Sequence, residues 1–163
     1  MISLTEKLAS FQPGQDQLIL PFEKRQRSRL RTRLASGEDA LLLLERGSIL
    51  RGGDCLRASD GRVIGVVAAD ESVMTVRALN PVDLTRAAYH LGNRHVPLQV
   101  GEDWLRLEQD HVLRDMLLGL GVMVMDEVAP FEPEAGAYGG GHRHGADEDD
   151  RLVFSRRVKA QHE

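Results

Sequence analysis

The chain has 163 residues, 42% of them hydrophobic but only seven aromatic (four Phe, two Tyr, one Trp), which suits one ordinary domain or two small cores of Leu, Val and Ala. A formal charge of −4 argues against general nucleic-acid binding, no apolar run reaches the ~18–20 residues of a membrane span, and no basic segment leads into a hydrophobic one at the amino terminus. The lone Cys55 excludes an intramolecular disulfide and a multi-thiol zinc pattern, and with the missing secretory signal it points to a reducing, cytoplasmic setting.

The charge is unevenly placed. Residues 1–70 hold 11 Lys/Arg against 9 Asp/Glu, a balance of +2; residues 71–163 hold 10 against 16, a balance of −6. Residues 1–16 are weakly patterned, with a turn at Pro13-Gly14. Leu18-Ile19-Leu20-Pro21-Phe22 reads as a short strand. Residues 24–34 follow, with Arg25, Arg27, Arg29, Arg31 and Arg33 on every odd position. At a strand's period of two, all five guanidinium groups share one face and Leu30 and Leu34 the other, so a strand is expected. Such a stripe is either a solvated face that blunts a sheet edge or a docking surface for an acidic protein partner. No aromatic residues are interleaved to stack bases, which counts against nucleic acid.

Residues 39–44 form an apolar run that fits a strand buried on both sides. Turn signals then recur at Gly47, Gly52-Gly53-Asp54 and Ser59-Asp60-Gly61. Between them Ile49-Leu50, Cys55-Leu56 and residues 62–67 read as strands. The pattern predicts a small all-β unit, a sandwich or partial barrel.

Polar residues 69–72 mark the expected boundary. Residues 73–78 are strand-like, and Asn80-Pro81-Val82-Asp83 is a helix start with Asn as cap and Pro at the first helical position. Leu84, Ala87, Ala88 and Leu91 form its buried stripe, and Gly92 suits a left-handed cap. A strand is expected from His95, with Val96, Leu98 and Val100 alternating; Pro97 places it at a sheet edge. Residues 104–108 complete a hairpin around Gly101-Glu102-Asp103. Asp110 caps a second helix with the stripe Leu113, Met116, Leu117 and Leu120, closed by Gly121. A last strand starts at Val122, with Met123 and Met125 expected in the core. The order β-α-β-β-α-β is the ferredoxin-like arrangement. Order is expected to fade after Pro130 into a flexible tail with Gly139-Gly140-Gly141-His142-Arg143-His144 and the acid run Asp147-Glu148-Asp149-Asp150.

The expected fold is therefore α+β: a small all-β domain over 1–70, a ferredoxin-like domain over 71–132, and a tail over 133–163. No nucleophile with a neighbouring base, cofactor fingerprint or motif-placed carboxylate pair is found, so no enzyme is expected. Read from the residues alone, a loop histidine such as His95 more often caps or hydrogen-bonds than binds metal. A non-catalytic interaction module, or an RNA-binding ferredoxin-like module with no specific metal, fits that reading.

The run Tyr89-His90-Leu91-Gly92-Asn93-Arg94-His95-Val96-Pro97-Leu98-Gln99-Val100 resembles the central motif of the UreE-type urease accessory proteins, which carry nickel to urease. The run "LERGSILRGGDCL" (residues 44–56) resembles that family's amino-terminal domain, a peptide-binding β module. The resemblance implies that His95 binds Ni(II) at a homodimer interface, with Zn(II) or Cu(II) possible in its place. It implies His142 and His144 as further ligands from the tail. It also implies an accessory site near His111, although Gln109 stands where some relatives carry another histidine. The implied partners are the urease apoprotein complex and its GTPase accessory protein, with neither nucleic acid nor membrane involved. The arginine stripe is the expected docking face.

Overall fold

The computed structural model describes residues 1–136, so His142, His144 and the acid run at 147–150 lie outside the described residues. Residues 1–68 build one six-stranded mixed sheet. Its strands are β1 (Ile2–Lys7), β2 (Asp16–Leu20), β3 (Arg29–Arg33), β4 (Asp39–Leu43), β5 (Cys55–Ala58) and β6 (Val63–Ala68), in the order β2-β6-β5-β1-β4-β3. β1 lies well inside the sheet, parallel to β4 and antiparallel to β5, although its sequence is weakly patterned. Only Ile2 and Leu4 face the core before Thr5, Glu6 and Lys7 emerge into solvent, an alternation too short to read.

The sheet curls until its two edge strands approach. The Ala35 N–H, just past β3, donates to the Gln17 carbonyl of β2 at 2.9 Å. Asp16 fastens the same corner, accepting from the Ser36 N–H at 3.3 Å and the Gln17 N–H at 2.7 Å. The Ser36 side chain, and secondarily the Gln17 backbone N–H, holds the Asp16 carboxyl below the usual carboxylate range. At the β5–β6 turn, Gly61 takes φ 89°, and Arg62 bonds both Asp60 and Glu38. The Arg62 backbone N–H, then its guanidinium, lowers the Asp60 pKa, while the Arg62 pKa is raised first by Glu38 and then by Asp60. Inside the curl lie Leu4, Leu18, Leu42, Leu50, Leu56 and Ile64, all with no solvent exposure.

Two expectations change here. Ile49-Leu50 is not a strand; Leu50 enters the core from a loop, its N–H donating to the Arg25 carbonyl at 2.9 Å. The arginine-rich strand begins only at Arg29. Phe22–Arg25 instead forms a single helical turn, α1, because Phe22 and Arg25 fall three apart on one face and that face is buried. Glu71 accepts the Phe22 N–H at 2.8 Å, giving a helix-start donor its partner.

Residues 70–130 form β7 (Asp70–Arg77), α2 (Pro81–Asn93), β8 (Gln99–Val100), β9 (Leu105–Glu108), α3 (His111–Gly119) and β10 (Met123–Pro130). The sheet order β10-β7-β9-β8, antiparallel throughout, is the expected ferredoxin-like arrangement. Both helices start as read: Asn80 accepts the Asp83 N–H at 2.9 Å, and Asp110 accepts the Leu113 N–H at 2.9 Å. Met74, Val76, Ala87, Leu91, Leu107 and Leu117 form the core between sheet and helices. Met123 and Met125 do not join it. Val122 and Val124 take the inward positions, so the two methionines share the other strand face and stay 46% and 45% exposed.

Phe22, Val73 and Phe131 make a third apolar cluster where the two sheets meet, with the rings of Phe22 and Phe131 edge to face at 5.7 Å. Order therefore continues past Pro130. No helix of the described residues is long and apolar enough to cross a membrane.

Candidate functional site

The expected strand does not start at His95 but only at Gln99, as β8. α2 runs through Gly92 and Asn93, Arg94 closes it at φ −94°, and His95 takes the left-handed conformation at φ 55°. It is the one non-glycine residue with positive φ among the described residues. The His95 N–H donates to the Gly92 carbonyl at 3.1 Å and the Val96 N–H to the Leu91 carbonyl at 3.4 Å. These are the two bonds of a Schellman cap, with His95 where glycine is usual. Leu91 and Val96 complete it, since both pack into the same core. The left-handed position predicted for Gly92 thus falls three residues later. A bulky residue there costs roughly 1–2 kcal/mol, although histidine tolerates the region better than most.

The cap fixes the backbone on both sides of His95 while its side chain stays exposed. Pro97 is exposed too, and β8 is a two-residue edge strand pairing Gln99 with Arg106. The segment leaving β10 crosses beside it: Glu132 N–H donates to Gln99 Oε1 at 2.9 Å and Glu134 N–H to the Leu98 carbonyl at 2.8 Å. The chain toward His142 and His144 therefore departs next to the strand that follows His95.

The outer face of α2 leads to the same turn. Pro81, Val82, Thr85, Arg86 and Tyr89 recur at helical spacing and line an open, largely apolar cavity of about 400 Å³. Tyr89 and His90 meet edge to face at 5.3 Å, and Tyr89 is 65% exposed. His111 is the first residue of α3 and is exposed. Among the described residues no three His, Cys, Asp or Glu side chains converge as metal ligands, so neither His95 nor His111 has a complete ligand set within them.

The arginine stripe is smaller than expected. Arg25 is fully buried and donates to the Leu20 carbonyl at 3.0 Å, the Leu50 carbonyl at 3.1 Å, the Phe131 carbonyl and the Glu132 carboxylate. It offers no charge to a partner, because α1 turns it inward. Arg27 lies between α1 and β3 and pairs with Glu23 at 2.7 Å. Only Arg29, Arg31 and Arg33 share the exposed face of β3, at the free edge of the six-stranded sheet. Arg33 pairs with Asp39 at 3.0 Å; Arg29 and Arg31 stand opposite Leu43 and Leu41. Sequence reasoning missed the role of Arg25 and Glu132. The one available signal was Pro21 ahead of Phe22 and Arg25, which permits a helical turn where the odd-position arginines suggested a strand.

A curled β unit joined to a ferredoxin-like unit, with an imidazole presented on a capped helix end, defines a two-sheet α+β protein whose candidate chemistry is ligand binding at that turn. The family model for the UreE urease accessory protein N-terminal domain matches residues 6–69, and that for its C-terminal domain matches residues 71–162. The chain belongs to the UreE urease accessory protein family. It is 59% identical to urease accessory protein UreE of Cupriavidus necator over 130 residues, covering 80% of this chain and 68% of that one. Its counterparts in Alkalilimnicola ehrlichii (56% over 140 residues, 86% of each chain) and Nitrosospira multiformis (52% over 145 residues, 88% and 82%) carry the same name.

Proposed function

We propose that the protein is a cytoplasmic nickel metallochaperone, not an enzyme, which brings Ni(II) to urease apoprotein while the urease active site is assembled. The observation that carries this reading is the left-handed His95. Its backbone is locked by the cap, its imidazole is exposed, and glycine would fit the position with less strain. An imidazole nitrogen binds Ni(II) well, and Zn(II) and Cu(II) also.

One imidazole is too few for a tight site. A homodimer about a two-fold axis doubles it, and the apolar outer face of α2 supports association on the side that leads to His95. His142 and His144 supply further ligands from the chain that leaves beside β8. His111 is an accessory ligand at most, with Gln109 beside it. Arg29, Arg31 and Arg33 face the acidic surface of a partner, in this reading the urease apoprotein complex or its GTPase accessory protein, and neither nucleic acid nor membrane is engaged.

The test is calorimetric titration with Ni(II) at about pH 7.5, with the oligomeric state followed by sedimentation. The expected result is a dimer binding at least one ion, and a His95→Ala dimer that has lost it. Unchanged stoichiometry and affinity in His95→Ala would overturn the reading.

A further inference from the structure

We infer that the acid run Asp147-Glu148-Asp149-Asp150 docks in cis on the exposed arginines of β3, occupying the face that an acidic partner must reach. The inference does not rest on the metal reading. Three observations carry it. The first is uncompensated charge: Arg29 and Arg31 project from an edge strand opposite Leu43 and Leu41, with no acid within 4.0 Å among the described residues, and only Arg33 is paired. Two free guanidinium groups over half-buried leucines suit a carboxylate-bearing segment whose stems cover the apolar surface.

The second is the anchor. The Glu132 carboxylate is held by buried Arg25, and Arg25 precedes Arg29 by four residues, so Glu132, two residues before the Glu134 contact with Leu98, is tied to the start of β3. The third is reach. Glu134 is held on Leu98, and from there to Asp147 is thirteen residues, which span up to about 45 Å when extended. From Arg25 to Arg31 is six residues, at most about 21 Å. Thirteen residues are therefore long enough to reach the stripe. Four carboxylates on such a tether are presented at a local concentration on the order of millimolar, which a free acidic partner must exceed or outbind.

The experiment compares the full chain with a variant carrying Asp147→Asn, Glu148→Gln, Asp149→Asn and Asp150→Asn, by backbone amide NMR and by binding of a hexaglutamate probe. These changes lie outside residues 1–136 and leave the described cores intact. Amide shifts are expected to differ at residues 29–33 and 41–43, and about 0.5 M salt is expected to erase the difference by screening. The neutralised variant is expected to bind hexaglutamate roughly threefold or more tightly, because the internal competitor is gone. A further Arg29→Glu, Arg31→Glu change is expected to abolish probe binding. Identical β3 shifts in the two chains would overturn the proposal, as would differences centred elsewhere, for instance at Arg46 or Arg94. Mixing labelled neutralised chain with unlabelled full chain tests the cis arrangement: β3 shifts restored in the labelled chain would mean docking from a second copy, and the proposal would fall.

Discussion

Arg25 donates to the Glu132 carboxylate from a site with no solvent exposure, joining residues 107 apart in the chain. The same guanidinium serves the carbonyls of Leu20, Leu50 and Phe131 and lies 5.5 Å from the centre of the Phe22 ring. It thus ties α1, the first core and the segment after β10 into one joint.

Removing that charge strands its acceptors. Arg25→Ala leaves three buried carbonyls and a partly buried carboxylate without their donor, a change expected to cost about 3–5 kcal/mol. Glu132→Gln keeps an acceptor oxygen at a site that is partly exposed, so about 1 kcal/mol is expected. Urea unfolding of both variants checks the order; equal losses would show that the carboxylate, not the guanidinium, organises the joint.

His95 carries a conformational cost that glycine would relieve. His95→Gly is expected to raise stability by about 0.5–1 kcal/mol, and His95→Ala to leave it within about 0.5 kcal/mol, since alanine is strained there too. Both are expected to lose the proposed metal site. Thermal unfolding beside nickel titration reads the two effects separately. A His95→Gly chain less stable than the parent would mean that the imidazole makes a structural contact of its own.

Asp16 gives the sheet corner a pH dependence. Its carboxyl is held below the ordinary value by Ser36 and Gln17, so its contribution is complete above the unfolded-state value of about 3.9 and fades as pH falls through the lower folded value. Asp16→Asn is therefore expected to be less stable than the parent near pH 6 and to converge with it toward pH 2. Urea midpoints across that range check the convergence; a constant gap would place the effect in packing.

The second sheet was the more legible half of the chain. Asn80-Pro81 and Asp110 are caps whose chemistry is local, and the stripes ending at Leu91 and Leu117 face a single core. What escaped reading was set by distant partners. β1 shows only two inward side chains, and its place among β4 and β5 comes from pairing across the sheet. Arg25 and Arg29 look equivalent in sequence; Phe131, more than a hundred residues away, makes one buried and leaves the other exposed. At the candidate site, His95 and its exposure are readable from the motif, but the motif points to Gly92 for the left-handed backbone that His95 adopts. The Schellman bonds depend on Val96 packing beside Leu91, a tertiary contact.

Partner docking is expected to follow the shortened stripe. Arg29→Glu with Arg31→Glu is expected to weaken binding of an acidic urease-assembly partner at least tenfold at low salt, with little effect near 0.5 M, while nickel binding stays unchanged. Arg27, already paired with Glu23, is expected to matter less. Unchanged partner affinity would leave the stripe as a solvated face that blunts a sheet edge.

Truncation after Tyr138 separates the two classes of proposed nickel ligand. His95 sits on backbone fixed by the cap, so in a dimer both copies approach the ion with little further ordering. His142 and His144 lie eight and ten residues beyond Glu134, which bonds to Leu98, so holding either on the same ion means fixing that length of chain, at a cost in conformational entropy. That entropic cost offsets part of each bond they make. The truncated chain is therefore expected to remain dimeric and to keep one Ni(II) per dimer, with affinity lower by roughly ten- to a hundredfold. Any second ion bound by the full chain is expected to disappear. Loss of all nickel on truncation would make the tail the primary site and His95 secondary, whereas unchanged affinity would remove His142 and His144 from the ligand set.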